Sequence, residues 1–111
     1  MKRKSGLLSL VVSLVLMAFA TQSQAGYTTQ GVVTAVLYMP GGVVMFHTNA
    51  THISPPGCHS STTRWAIAAS EKAQISGLLL AYAQGKKIDI SGTASCAAWG
   101  DTESVSYFTS N

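Results

Sequence analysis

The chain has 111 residues, a formal net charge of +3 and only 10 % charged residues, and is too short for two ordinary domains. Its basic surplus sits at the start: Lys2, Arg3 and Lys4 are three of the seven basic residues, leaving Arg64, Lys72, Lys86 and Lys87 balanced by Glu71, Asp89, Asp101 and Glu103. Four scattered cations make no clustered basic face for phosphate neutralisation, so nucleic acid is not an expected partner.

The three early basic residues precede an apolar run from Leu7 to Ala20, interrupted only by Ser9 and Ser13. Thr21 and Gln22 then lead to Ser23-Gln24-Ala25, a small-x-small cleavage signal. Residues 1–25 therefore read as a secretory signal peptide, with a retained N-terminal anchor as the competing reading. The apolar run falls short of the roughly 20 residues a spanning helix needs, and no second candidate follows. The expected product is an exported domain of residues 26–111, periplasmic or secreted, without a membrane span.

A domain this small draws thin stability from its core alone. Its two cysteines, Cys58 and Cys96, would reach an oxidising compartment, which predicts a disulfide rather than buried free thiols. Closing that loop restricts the unfolded chain by roughly 4 kcal/mol on the chain-entropy account.

Taken in order, Thr28 to Met39 is rich in β-branched and aromatic residues and reads as a first strand. Pro40-Gly41-Gly42 is a turn signal, and Val43 to Thr48 completes a hairpin. Asn49 to Thr62 is loop by composition. Thr63 to Ala69 reads as a third strand with Trp65 in the core. Ser70 is placed to cap the following helix, in which Ile75, Leu78, Leu79, Tyr82 and Ala83 form an apolar stripe. Gly85 is the expected left-handed stop. Lys86 to Ser91 reads as a fourth strand, Gly92 to Gly100 as loop, and Glu103 to Thr109 as a fifth strand with Val105 and Tyr107 on one face. The predicted class is mainly β with one helix. The order β-β-β-α-β-β, stapled by one disulfide, suits an OB-fold-like five-stranded barrel, with a β-grasp or another small α+β sheet as the competing arrangement.

Chemistry-bearing patterns are sparse. His47, His52, Cys58 and His59 lie close in sequence but lack the paired spacing of tetrahedral zinc sites, so no metal or other cofactor is expected. No serine sits in a nucleophile elbow, and Asp101 with Glu103 is the nearest approach to an acid–base pair. Catalysis is not expected. Trp99 is the more informative residue. In the loop between strands four and five, an indole beside Asp101 suits stacking on a sugar face while the carboxylate accepts from hydroxyls. The alternative is an indole folded back over the disulfide to close the barrel end.

The helix Leu78-Leu79-x-Ala81, Gly85-Lys86, Gly92, Cys96, Trp99-Gly100-Asp101 and Glu103-x-Val105-x-Tyr107, with Pro55-x-x-Cys58 and Trp65-Ala66-Ile67 upstream, together resemble small exported bacterial proteins related to the B subunits of subtilase-cytotoxin and pertussis-type toxins. The resemblance implies an OB-fold, one internal disulfide, a homo-oligomer such as a pentameric ring, an exported partner subunit and glycan recognition. It carries no sugar-contacting residue over to this chain. Trp99 rests on the reading above and on a looser analogy to cholera-type B subunits, where a tryptophan soon after a cysteine meets a sugar. The expected function is an exported, non-catalytic, glycan-recognising module. A periplasmic structural or protein-interaction protein without sugar binding is the alternative.

Overall fold

The computed structural model describes residues 24–111, and the expected signal peptide lies outside the described residues up to Ser23. The strands are β1 (Tyr27–Tyr38), β2 (Val44–Thr48), β3 (Arg64–Ile67), β4 (Lys87–Gly92) and β5 (Val105–Ser110), with one helix, α1 (Lys72–Gln84), between β3 and β4. Among the described residues this is the expected mainly-β order with one α-helix, beside a short 3-10 turn at Pro40–Gly42. The strands form one antiparallel sheet in the order β3-β2-β1-β4-β5.

β1 is the hub because it serves two neighbours with different halves. Tyr27 to Val32 pair with β4, and Val33 to Tyr38 pair with β2. Two bulges make this possible, one between Thr28 and Gly31 and one between Val33 and Ala35, since each extra residue bends the strand and raises its twist. Gln30 takes the left-handed conformation at the first bulge (φ 53°), and its freed N–H donates to the Asp89 carboxylate at 2.7 Å. The two edge strands of the sheet meet at a single point. The Ala66 N–H donates to the Glu103 carbonyl at 3.1 Å, forming one parallel bridge between Ala66 and Ser104.

The core gathers Val33, Val44, Phe46, Trp65, Ile67, Leu78, Ala81, Ile88, Ile90 and Val105. Phe46, Ile67, Leu78 and Ile88 have no accessible surface, and each such side chain contributes roughly 1.5–3 kcal/mol relative to exposure. Trp65 is fully buried, as expected. α1 sits on this core through Ile75, Leu78 and Ala81, whereas Tyr82 and Ala83 of the predicted stripe are exposed. The run Leu78-Leu79-Leu80 offers more than one apolar line, and the one that includes the small Ala81 lets the helix approach closely. The Ser70 cap is not made either. The helix starts from Glu71 without a side-chain cap, because Glu71 N–H donating to Ala68 O and Lys72 N–H to Ser70 O, both at 3.0 Å, turn the chain into the helix through the backbone. At the other end Gly85 is left-handed (φ 63°), its N–H serving the Ala81 and Tyr82 carbonyls, as the sequence predicts.

The fifth strand departs from its expected alternation. Ser91 pairs with Tyr107 but Gly92 pairs with Val105, so Ser106 is an extra residue in the ladder. This bulge turns Val105 and Phe108 toward the core and leaves Tyr107 59 % exposed. The Cys58–Cys96 disulfide is formed, with 6.2 Å between the Cα atoms, and joins the β2–β3 loop to the β4–β5 loop. Among the described residues no helix is long and apolar enough to cross a membrane.

Candidate functional site

The segment from Trp99 to Ser110 supplies three neighbourhoods of differing chemistry. The first is the Trp99–Asp101 loop. Trp99 is half-buried and lies outside the main core, its carbonyl closing a tight turn by accepting from Thr102 N–H at 3.0 Å. Asp101 is exposed, and its carboxylate accepts from Arg64 Nη2 at 3.0 Å and from the Thr102 hydroxyl at 3.0 Å. The Thr102 hydroxyl foremost holds its carboxyl below the ordinary value, against the opposing effect of desolvation and with help from the charge and hydrogen bond of Arg64. Its backbone carbonyl also accepts from Ser60 N–H at 3.0 Å. An exposed carboxylate and a half-exposed indole therefore stand two residues apart on one tight turn, with Arg64 fixing the carboxylate.

The second neighbourhood is sealed. Glu103 is fully buried, unlike Asp101 two residues earlier. Its carboxylate accepts from Gly26 N–H at 3.0 Å, Ala94 N–H at 2.9 Å and His52 Nε2 at 2.6 Å. His52 Nδ1 faces the Arg64 carbonyl at 3.3 Å, and its ring stacks on Trp65 with centroids 3.8 Å apart. The Trp65 indole N–H in turn donates to Thr28 Oγ1 at 2.9 Å. His59 packs 4.0 Å from His52 and accepts the Glu103 backbone N–H on Nδ1 at 2.8 Å, which puts its proton on the buried, unpartnered Nε2. Burial, then the neighbouring His52, hold His59 below the ordinary imidazole value. Gly92 and Gly26 admit this arrangement because a Cβ on either would overlap the Glu103 carboxylate.

With side-chain accessibilities of 0 % for both His52 and Glu103, this acid–imidazole pair reaches no substrate. It ties five chain segments together. Residue order alone predicts Glu103 as a strand residue and His52 and His59 as loop residues. The missed contacts span 51 and 77 residues, beyond any local pattern. Among the described residues no three His, Cys, Asp or Glu side chains converge as a metal set.

The third neighbourhood is an open groove of about 490 Å³ between α1 and β5. Leu80 and Tyr107, each 59 % exposed, give it an aliphatic and an aromatic wall, and Gln74, Gln84 and Lys86 supply amide and ammonium groups. Gln74 is anchored through its Nε2, which donates to the Ser106 carbonyl at 2.9 Å, while its Oε1 is buried without a partner. Gly77 lets Phe108 pack against the helix, a Cβ there lying 3.3 Å from the ring. The Ser106 bulge creates this wall by moving Tyr107 off the core side, and no sequence signal marks it. Comparison with protein-family models, curated proteins and solved structures gives no match.

Proposed function

We propose that this chain is an exported, non-catalytic binding module that recognises a glycan or glycosylated surface. The observation that carries the reading is the groove between α1 and β5. An exposed tyrosine ring offers a stacking face for a sugar's C–H side, and the Gln84 amide and the Lys86 ammonium offer donors and an acceptor for its hydroxyls. Trp99 and Asp101 are retained as a second contact point, since the carboxylate is exposed and held ionised by its neighbours. The proposed architecture is an OB-fold. The strand order with its helix between β3 and β4 supports it, and the Ala66–Ser104 bridge between the edge strands supports closure of the barrel. The proposal includes the export signal at residues 1–25 and, from the toxin-subunit resemblance, assembly into a homo-oligomer such as a pentamer with an exported partner subunit.

A glycan array probed with wild type, Tyr107→Ala and Trp99→Ala tests the reading. Wild type is expected to give a signal that Tyr107→Ala abolishes. Absence of signal from well-folded wild type would reject glycan recognition. The second reading, a protein-interaction module without sugar binding, is favoured by the exposed Leu80 and Tyr107 side chains that line the same groove, because adjoining exposed apolar groups of this kind suit a protein contact. Loss of a protein partner by Leu80→Ser, with a blank glycan array, is its expected signature.

A further inference from the structure

Glu103 meets the chain at a covalent boundary. The single hydrogen on the Gly26 nitrogen lies between both carboxylate oxygens, with nitrogen–oxygen distances of 3.0 and 3.2 Å. Gly26 is buried, while Gln24 and Ala25 immediately before it are exposed. The residue is pinned from both sides. Its carbonyl accepts from Gly92 N–H at 2.9 Å, and Tyr27 exchanges both backbone hydrogen bonds with Ile53 at 3.0 and 2.8 Å. A side chain has no room, because a Cβ on Gly26 would overlap Glu103 and lie 2.6 Å from His52 Nε2. Among the hydrogen-bond partners of the carboxylate, only His52 can carry positive charge. The Ala25–Gly26 bond is also the one that the Ser23-Gln24-Ala25 pattern marks for a leader peptidase.

We infer that Glu103 is the receptor for the α-ammonium group released at Gly26 when that bond is hydrolysed, an inference that rests on the export-signal reading. Water adds across the peptide bond. Its hydroxyl goes to the Ala25 carbonyl carbon, which leaves with the signal segment as a carboxylate, and the Gly26 nitrogen keeps the bonding pair and takes up protons to become –NH3+. One shared amide hydrogen then becomes a separate hydrogen for each carboxylate oxygen, in the charge-assisted form that is the stronger kind of hydrogen bond. Because the carboxylate also holds the β4–β5 loop through Ala94 and the β2–β3 loop through His52, processing reinforces the junction where three segments meet. The fold reads whether its own leader has been removed.

The test uses the full chain exported with its own leader, in three forms: wild type, a form with one alanine inserted between Ala25 and Gly26, and Glu103→Gln. Intact mass gives the mature start, urea titration gives the folded-to-unfolded ratio, and reductive methylation compares the α-amine with Lys72, Lys86 and Lys87. Wild type is expected to begin at Gly26, with an α-amine labelled roughly tenfold more slowly than that of the alanine form, whose folded-to-unfolded ratio is roughly tenfold lower. Glu103→Gln is expected to expose the α-amine to labelling at the rate of the alanine form or to lose folded protein altogether. The alanine form keeps Glu103 and His52, so it decides the matter if Glu103→Gln does not fold. A mature start at another residue overturns the processing half of the inference. A Gly26 start with equal labelling rates and equal urea midpoints in wild type and the alanine form overturns the receptor role. Neither readout involves glycan binding, so failure here is separable from failure of the functional proposal.

Discussion

Glu103 and Tyr107 stand four residues apart at the C-terminal end of the chain and end in opposite environments. Around Glu103 the carboxylate is sealed from water and met on both oxygens: two backbone N–H groups and an imidazole reach it, His52 lies flat on Trp65, and His59 Nε2 is left without a partner. Around Tyr107 the surface is open, with an exposed ring, an exposed Leu80 and the exposed side chains of Gln84 and Lys86 along the groove. The first arrangement is what holding distant segments together requires, since a buried charge is tolerable only when it is fully paired. The second is what binding requires, because a group already satisfied internally has little to offer a ligand. Both arise from one short stretch, and the Ser106 bulge is what separates them.

The largest effect is expected at the sealed end. Glu103→Gln places an amide where two backbone donors and His52 converge, and should lower unfolding free energy by about 3–5 kcal/mol, the usual cost of breaking a buried ionic group away from its partners. Urea titration at neutral pH measures it. A loss no larger than that of Asp101→Asn, whose carboxylate is exposed, would erase the contrast between the two acids.

A smaller effect comes from pH. His59 is held below its ordinary value of 6.5, chiefly by burial and then by His52, with Ser61 and Glu103 pulling the other way. Its Nδ1 accepts the Glu103 N–H only while unprotonated. The unfolded chain therefore binds more protons than the folded chain just below pH 6.5, and the contribution of neutral His59 is complete above that pH and lost as pH falls through the lowered folded-state value. Asp89, held down first by the Gln30 N–H, and Asp101, held down first by the Thr102 hydroxyl, act in a separate window below the ordinary carboxylate value of 3.8. Urea midpoints between pH 7.5 and 5 should decline for wild type and flatten for His59→Asn, which keeps an acceptor but does not titrate. An equal decline in both would remove His59 from the account.

The smallest stability effect belongs to the open end. Tyr107→Ala should change unfolding free energy by about 0.5 kcal/mol or less, as exposed substitutions usually do, while removing glycan signal. A large loss of stability would mean that the ring is a packing residue.

What could be read from residue order was whatever local chemistry dictates. The five strand segments follow from β-branched composition, the helix stop from Gly85, and the disulfide from the presence of just two cysteines, Cys58 and Cys96. The helix face is legible through Ile75 and Leu78 but not in its last turn, because three consecutive leucines leave the rotation to the surface the helix docks on, and Ala81 rather than Tyr82 and Ala83 faces the sheet. The phase of β5 was misjudged because a bulge is a property of two paired strands, and Ser106 carries no mark of it alone. Glu103 and Asp101 look alike in sequence. Only contacts reaching back to Gly26 and His52 decide that one is buried and the other exposed.

Residue-resolved NMR titration with a glycan selected from the array tests the division between the two ends most directly. Shifts are predicted at Leu80, Lys86, Tyr107 and Phe108, with Gly26, His52 and Glu103 silent. Perturbation centred on the Glu103 junction, or no perturbation of the groove by any glycan the protein binds, would contradict it.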